Sequence, residues 1–297
     1  MGLHVCTAGL AVAQVGGFDT AQLTLTNCDF LPAHDPHSRA EALRKFVDSN
    51  GLKGMPVNYV LSPQHYHLLQ VEPPQVPAEE LKQALRWRVK DLINFDIDDA
   101  VIDTFPLPEE SFRNRSVMVY VVVAKRSIIE EAEALTKAAG LVLRSVDIAE
   151  LALCNLMPED GKQSQGTALM LVQRGEGVLN LVKDQALYLT RNVKADPEQL
   201  RDGELLSNAT FNHLVLEIQR SLDYYESGLG QPPATRLLLV PVGEGSAAIS
   251  DALDVSFGLR ASLLDLGTVL AGAESVEAQQ QALCSLAMAA AMRPADS

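Results

Sequence analysis

The sequence has few cysteines, few basic residues for its length and no long apolar run. Its four cysteines, Cys6, Cys28, Cys154 and Cys284, form no CxxC pair, which argues against a disulfide scaffold and a zinc ribbon. We expect them to be reduced, buried and free of metal. No window approaches the roughly 20 apolar residues that span a bilayer, and the first residues lack the charged start of a secretory signal. We therefore expect a cytoplasmic protein that reaches a membrane only through a partner.

Aromatic residues are also sparse, at 5% of the chain, and basic residues are outnumbered by acidic ones, 24 to 38. The resulting net charge of −14 repels nucleic acid and anionic lipid. A surplus of solvated acid also keeps a protein soluble, and this explanation stays open beside any functional one. A chain of 297 residues with 47% hydrophobic content predicts about two domains, each with its own core.

The first part of the chain is predicted to mix strands and helices. Residues 3–15 and 21–26 are interpreted as two strands joined by a turn at Gly16 and Gly17, followed by a helix over 39–50 and a buried strand over 57–61. This order is typical of a mixed sheet covered by helices.

A helix predicted over residues 77–94 carries an unusual apolar stripe. Leu81, Ala84, Leu85, Val89 and Leu92 recur at helical spacing on one face. The same interpretation places Arg88 inside this stripe and Trp87, the only tryptophan, off it.

A second hairpin opens the other half of the chain. The polar stretch 158–166 separates the halves; strands are then predicted over 168–172, 178–182 and 186–190, with a turn at 173–177. A helix over 211–225, a strand over 236–242, a glycine loop at 243–245 and helices over 246–253 and 276–292 complete the chain. The repeated hairpin start predicts two similar α/β halves.

Two hairpin-led halves resemble the actin-like, sugar-kinase and Hsp70 ATPase architecture. The stretches Val-Pro-Ala-Glu-Glu-Leu-Lys-Gln-Ala-Leu-Arg-Trp at 76–87 and Glu-Ile-Gln-Arg-Ser-Leu-Asp-Tyr-Tyr at 217–225 add a more specific resemblance. They are similar to PilM, the actin-like family of type IV pilus assembly, and most closely to its MshI-type members from mannose-sensitive haemagglutinin (MSHA) pilus systems. The resemblance runs from the first predicted strand to the last helix.

This resemblance implies a two-lobed α/β fold of the actin-like, ribonuclease H-like class. The first lobe would cover 1–158 and contain a PilM-type inserted subdomain at about 68–146. A linker over 159–166 would lead to the second lobe, 167–274, and the helix at 275–293 would pack back toward the first lobe.

The chain departs from the family where nucleotide chemistry is expected. PilM proteins begin with a Gly-Ile-Asp-Ile-Gly-Ser hairpin, whereas this chain has His4 at the acidic position and Cys6 at the glycine. In the second hairpin, a family Asp-Ile-Gly becomes Gln173-Arg174-Gly175. Phosphoryl transfer needs a metal held by carboxylates. We therefore expect no enzyme activity, no metal and no obligatory cofactor.

A vestigial nucleotide site is nevertheless implied, and residual ATP binding stays an open alternative. It would consist of the first hairpin, the second hairpin and the glycine loop that faces adenosine in the family. Its residues would be Cys6, Thr7, Gly175, Gly243 and Gly245.

The resemblance also implies a partner. In PilM, the N-terminal cytoplasmic peptide of the membrane protein PilN lies in a groove beside the inserted subdomain. The equivalent residues here would be Trp87, Arg88 and Leu92, since Trp and Arg are common interface anchors. Alternatively, Trp87 covers a neighbouring strand and Arg88 extends its charge to water. The acidic chain would suit a basic tail on the partner.

The expected function is a cytoplasmic scaffold of the MSHA-type pilus platform, held at the inner membrane by a PilN-like bitopic protein. The pilus assembly or retraction ATPase is a further expected partner. Two alternatives remain: an active ATPase or nucleotide switch of the same machine, and a soluble equivalent of the cytoplasmic domain of the L-type protein of type II secretion.

Overall fold

The computed structural model describes residues 1–20, 22–108, 118–159, 165–200 and 205–294. Strands and helices alternate along these residues. The strands are β1 (Gly2–Cys6), β2 (Gly9–Gly16), β3 (Thr24–Pro32), β4 (Pro56–Leu61), β5 (Tyr66–Val71), β6 (Ala100–Pro106), β7 (Val119–Lys125), β8 (Val142–Ile148), β9 (Thr167–Gln173), β10 (Glu176–Lys183), β11 (Ala186–Val193), β12 (Arg236–Leu239) and β13 (Arg260–Leu263). The helices are α1 (Pro36–Ser49), α2 (Ala78–Val89), α3 (Arg126–Ala138), α4 (Ala149–Cys154), α5 (Ala209–Asp223), α6 (Ser246–Ser256) and α7 (Ala278–Ala291).

Two five-stranded sheets share one topology. The first has the order β3-β2-β1-β4-β8 and the second the order β11-β10-β9-β12-β13. In each sheet an antiparallel three-stranded meander is followed by two parallel strands, and a helix, α1 or α5, connects the meander to the first of these. The repeated hairpin start predicted two similar halves, and the two sheets have this arrangement.

The opening of the chain contains one more strand than predicted. Residues 3–15 were expected to be a single strand, but the chain reverses at Thr7 and Ala8, where Cys6 pairs with Gly9. Thr and Ala lack the usual turn chemistry of Asn, Asp, Gly or Pro, so the apolar run gives no local sign of this turn. The strand expected over 21–26 is β3, which begins at Thr24. Ala21 lies outside the described residues.

A three-stranded antiparallel sheet, β5-β7-β6, is inserted between β4 and α3. Helix α2 packs on one of its faces through Leu85 and Val89, both fully buried among Val121, Val123 and their neighbours. The inserted sheet ends at β7, whereas the expected subdomain of about 68–146 also takes in α3 and β8. Strand β8 belongs to the first sheet, because it pairs in parallel with β4. Residues 160–164 of the expected linker lie outside the described residues.

Helix α7 packs on the first sheet. It contacts β1, β2, β3 and β4, and the residues from Cys284 to its end are all buried. Two side-chain amides bond carbonyls in its last turn: Asn155 Nδ2 donates to Ala289 O at 3.0 Å and Asn58 Nδ2 to Ala290 O at 2.9 Å. Ala290 O also accepts from Arg293 N at 3.2 Å, so side-chain and backbone donors together bond the carbonyls at the end of α7.

One hydrophobic core joins both five-stranded sheets. It combines residues of β2 and β4 with residues of β9, β10, β11 and β12, and α4 and α7 contribute to the same cluster. Within the described ranges, no helix is long and apolar enough to cross a membrane.

Gly2 permits the close approach of α7 to β1. A Cβ atom at this position would lie 1.9 Å from Ala287 O and 2.6 Å from Ala291 N. Both are backbone atoms of a buried helix, which cannot yield as a flexible side chain can. The absence of a side chain at Gly2 is therefore a packing requirement.

We predict that Gly2→Ala lowers the free energy of unfolding by about 2 kcal/mol or more, because the added methyl group forces α7 away from the sheet. Urea denaturation followed by circular dichroism measures this change. Gly258→Ala is the matched control, since a Cβ atom there meets nothing within 4 Å. Equal stability of the two variants would contradict the packing argument.

Candidate functional site

A cavity of about 250 Å³ lies where the β1–β2 turn, the β9–β10 turn and α7 meet. The first turn contributes Cys6 and Thr7, and the second contributes Arg174 and Glu176. The segment after β4, residues 196–198, Val242 and one face of α7 complete the lining. The cavity therefore joins the hairpins that open the two halves of the chain.

Sequence-predicted residues of the first hairpin lie at this cavity. Cys6 is partly buried and Thr7 is exposed. The backbone around them is held from two sides: Arg39 Nη2 donates to Cys6 O at 3.0 Å, and Ser62 Oγ donates to Val5 O at 2.7 Å. These bonds fix the turn as a wall of the cavity.

His4 also lines the cavity, and it is almost completely buried. Its Nδ1 atom lies 3.2 Å from Val60 O, on the strand that pairs with β1. Burial is the main reason that its pKa falls from 6.5 to about 4. His4 is therefore neutral at pH 7 and supplies no positive charge to a phosphate.

The second hairpin places charged side chains at the cavity. Gly175 forms the tip with φ +78, a conformation that favours glycine, and it lies between two lining residues. The Arg174 guanidinium is bound to the Glu198 carboxylate. Glu176 is half-buried, and desolvation raises the pKa of its carboxyl group.

The sequence predicts that the second hairpin has the Gln173 amide where the family has a carboxylate, and this prediction is incomplete. Gln173 lines the cavity, but so does Glu176, three residues further along the chain. The family pattern directed attention to the position of the missing aspartate. The hairpin register, in which Glu176 pairs with Gln173, brings the other acid to the same place.

The glycine loop, residues 243–245, lies further from the cavity than the two hairpins do. Gly243 and Gly245 both have φ +87, and neither lines the cavity, whereas Val242 does. Ser246 closes the loop on itself: its Oγ accepts from Val242 N at 3.0 Å and donates to Gly243 O at 2.6 Å. The amide of Val242 is thus already bonded within the protein.

Among residues the structure describes, no group of three or more His, Cys, Asp or Glu side chains could hold a metal ion. Of the described residues that line the cavity, Glu176, Asp196 and Glu198 carry carboxylates and only Arg174 carries a positive charge. This balance disfavours a polyphosphate. The lining is mainly acidic and suits a positively charged ligand better than an anion.

A buried polar junction lies beside the hairpins and was missed from the sequence. Tyr66 Oη donates to Glu150 Oε2 at 2.5 Å, and Asn180 Nδ2 donates to Glu150 O at 2.7 Å. These residues come from the inserted sheet, α4 and the second sheet, so the junction ties all three together. Burial raises the pKa of the Glu150 carboxyl group. Only the three-dimensional arrangement identifies this junction.

The predicted partner residues lie on or just after α2. Trp87 is 70% exposed and Leu92 is 54% exposed. Arg88 is exposed as well, so its expected position inside the apolar stripe is wrong. The buried face is narrower than predicted, because the small inserted sheet fully covers only Leu85 and Val89.

Trp87 does not cover a neighbouring strand, since most of its side chain is exposed. Lys90 Nζ lies 5.8 Å from the centre of its ring, a cation–π arrangement. The recorded charged contact of Trp87 is therefore with a cation.

Comparisons with solved structures show the fold. No family model matches the chain, and no curated protein matches it. A chain of the PilM–PilN type IV pilus biogenesis complex is similar, with a TM-score of 0.74 and 18% identity over 99% of this chain and 98% of that one. The chain has a PilM-like, actin-like ATPase fold. The predicted fold class is thereby confirmed.

Two further structures are similar over most of their length. The cytoplasmic domain of EpsL, an inner-membrane component of the type II secretion system of Vibrio cholerae, has a TM-score of 0.53 and 15% identity, covering 80% of each chain. A Bacteroides thetaiotaomicron protein of unknown function with an actin-like ATPase fold has a TM-score of 0.51 and 9% identity, covering 96% of this chain and 94% of that one.

We predict that His4 makes stability depend on pH. Because its pKa is lowered on folding, its contribution is complete above pH 6.5 and is lost as pH falls toward 4. The loss relative to His4→Asn amounts to about 3 kcal/mol. Asparagine can still donate to Val60 O but does not titrate.

Urea unfolding of both proteins between pH 7 and pH 4 measures this difference. The carboxyl groups with raised pKa, Asp147, Glu150 and Glu176, change stability in the opposite direction. They do so in both proteins, and the comparison therefore isolates His4. Parallel stability curves would show that His4 is not buried in the neutral form.

Proposed function

We propose that this chain is a catalytically degenerate, actin-like scaffold of the inner-membrane platform of a type IV pilus, of the MSHA type. It binds the N-terminal cytoplasmic peptide of a PilN-like membrane protein and so acts at the cytoplasmic face of the inner membrane. Through this platform it connects to the pilus assembly or retraction ATPase.

The observation that carries the proposal is the exposure of Trp87 on a fold shared with a chain of the PilM–PilN complex. The indole of Trp87 is 70% exposed and offers a large apolar side chain of the type common at interface centres. Leu92 adds apolar area, and Arg88 adds a cation that can bind the carboxylate or backbone carbonyls of a peptide. The small sheet beneath α2 holds these groups on a rigid element.

The cavity supports the absence of catalysis. The first hairpin has His4 where the family has an aspartate, and this histidine is buried and neutral at pH 7. Arg174 is bound to Glu198 and would have to break this ion pair to reach a phosphate. Phosphoryl transfer depends on a metal and on charges placed around the phosphate, and the described residues hold no cluster for a metal.

The likeness to the EpsL cytoplasmic domain favours a second candidate, a soluble counterpart of the L-type protein of type II secretion. Binding assays with cytoplasmic peptides from a pilus PilN-like protein and from a membrane protein of a type II secretion system distinguish these candidates. The remaining alternative, a nucleotide switch, is supported by the positive φ angles of Gly243 and Gly245. ATP titration decides this alternative.

We predict that Trp87→Ala weakens binding of a PilN-like N-terminal peptide at least about tenfold, because the substitution removes a large apolar contact. Fluorescence anisotropy with a labelled peptide measures the dissociation constant. Val255→Ala is the matched control, since Val255 is 75% exposed but lies on α6, in the second half.

Failure of the wild-type protein to capture the pilus peptide would overturn the recruitment hypothesis. Capture that Trp87→Ala leaves unchanged would remove α2 as the docking surface. Tighter binding of a cytoplasmic peptide from a type II secretion membrane protein would favour the second candidate.

We predict that ATP with Mg²⁺ gives neither low-micromolar binding in calorimetry nor phosphate release above the protein-free rate. The physical reason is the repulsion between a polyphosphate and the carboxylates that line the cavity. Low-micromolar binding with turnover would instead establish the nucleotide switch.

A further inference from the structure

His4 lines the cavity and carries a buried hydrogen-bond acceptor that has no partner among the described residues. A backbone carbonyl can only accept, so the 3.2 Å contact with Val60 O places the proton of the neutral ring on Nδ1. Nε2 then carries a lone pair. This atom is buried and has no hydrogen-bond partner among the described residues. A buried acceptor without a partner destabilises the protein, and a donor on a ligand would remove this cost.

Glu176 supplies a negative charge to the same cavity. It is half-buried, and within the described parts of the chain no ion pair involves it. Arg174 is not available to it, because that guanidinium is bound to Glu198. Asp196 lines the cavity as well, and its Oδ1 accepts from Glu198 N at 3.0 Å. Positive charge is therefore what the cavity is short of.

We propose that this cavity binds an aliphatic ammonium or guanidinium group, which donates an N–H to His4 Nε2 and forms an ion pair with the Glu176 carboxylate. Both residues line the same space of about 250 Å³. The volume is below the roughly 300–1,000 Å³ of drug-sized sites and suits a slender chain. This inference stands on the cavity alone and does not depend on a peptide docking at α2.

Pairing with a cation would also offset the desolvation of the Glu176 carboxylate. Desolvation raises the pKa of the Glu176 carboxyl group, so burial disfavours its charged form. A bound cation would favour that form again. The first hairpin has His4 where the family has an acid, and the second hairpin places Glu176 at the same cavity.

Isothermal titration calorimetry tests the proposal with the full chain at about 150 mM salt, where the surface charge is largely screened. Spermidine and agmatine represent free amines, and Nα-acetyl-lysine amide represents a basic side chain of a peptide. Inorganic phosphate and ATP are the anionic comparisons. We expect saturable binding of one cation per chain and no competition from the anions, and the tighter class of cation identifies the source.

Glu176→Gln is expected to weaken cation binding at least about tenfold, because it removes the charge and keeps the shape. Glu130→Gln removes the same charge from an exposed position on α3 and is expected to change nothing. His4→Asn loses the Nε2 acceptor, so it should weaken binding as well. The ¹⁵N chemical shift of His4 Nε2 should move when the wild-type protein is titrated with cation.

Four outcomes would overturn the proposal: no cation binding, equal weakening by Glu176→Gln and Glu130→Gln, displacement of the cation by phosphate, or a His4 Nε2 shift that the cation leaves unchanged. The second outcome would assign binding to the general acidity of the surface. Urea unfolding of each variant separates a lost site from a lost fold.

Discussion

The close contact between α7 and β1 is the constraint on which the rest of the structure depends. At Gly2 the strand and the helix approach so closely that a methyl group would collide with helix backbone. The helix continues the core that joins both five-stranded sheets, and residues from Cys284 onward are buried. An earlier turn of the same helix, with Ala282 and Leu283, forms a wall of the cavity. A segment from the end of the sequence therefore holds the first sheet in place and shapes the site between the hairpins.

The order of strands and helices could be predicted in outline because local sequence patterns indicate it. The second meander has apolar runs separated by a Gly-rich turn, and it was placed within one or two residues of β9 and β10. The β1–β2 turn was missed, since Thr7 and Ala8 look like any residues of a strand. Strand β13 was missed for another reason: its four residues become a strand through parallel pairing with β12, which is a distant contact. Parallel pairing leaves no trace in a short sequence window.

The site was only partly visible from the sequence. The family pattern pointed to Cys6, Thr7 and Gly175, and these residues do lie at or beside the cavity. Glu176 was overlooked because a pattern marks what is missing at one position and not what has appeared nearby. Arg88 was placed on the buried side of α2 because helical spacing alone suggests a wide apolar face. The width of that face is set by the sheet beneath it, and a three-stranded sheet fully covers only Leu85 and Val89.

The chemistry of the cavity follows from strand register. His4 and Val60 are register partners in the parallel pair β1–β4, and this pairing brings the imidazole to the Val60 carbonyl. The carbonyl fixes the tautomer, and the tautomer leaves Nε2 as a hydrogen-bond acceptor. An aspartate at this position would instead hold a negative charge for a metal. A single substitution in an unchanged backbone thus alters which ligands the space can accept. The space itself persists because α7 and the shared core maintain it, whether or not a nucleotide binds there.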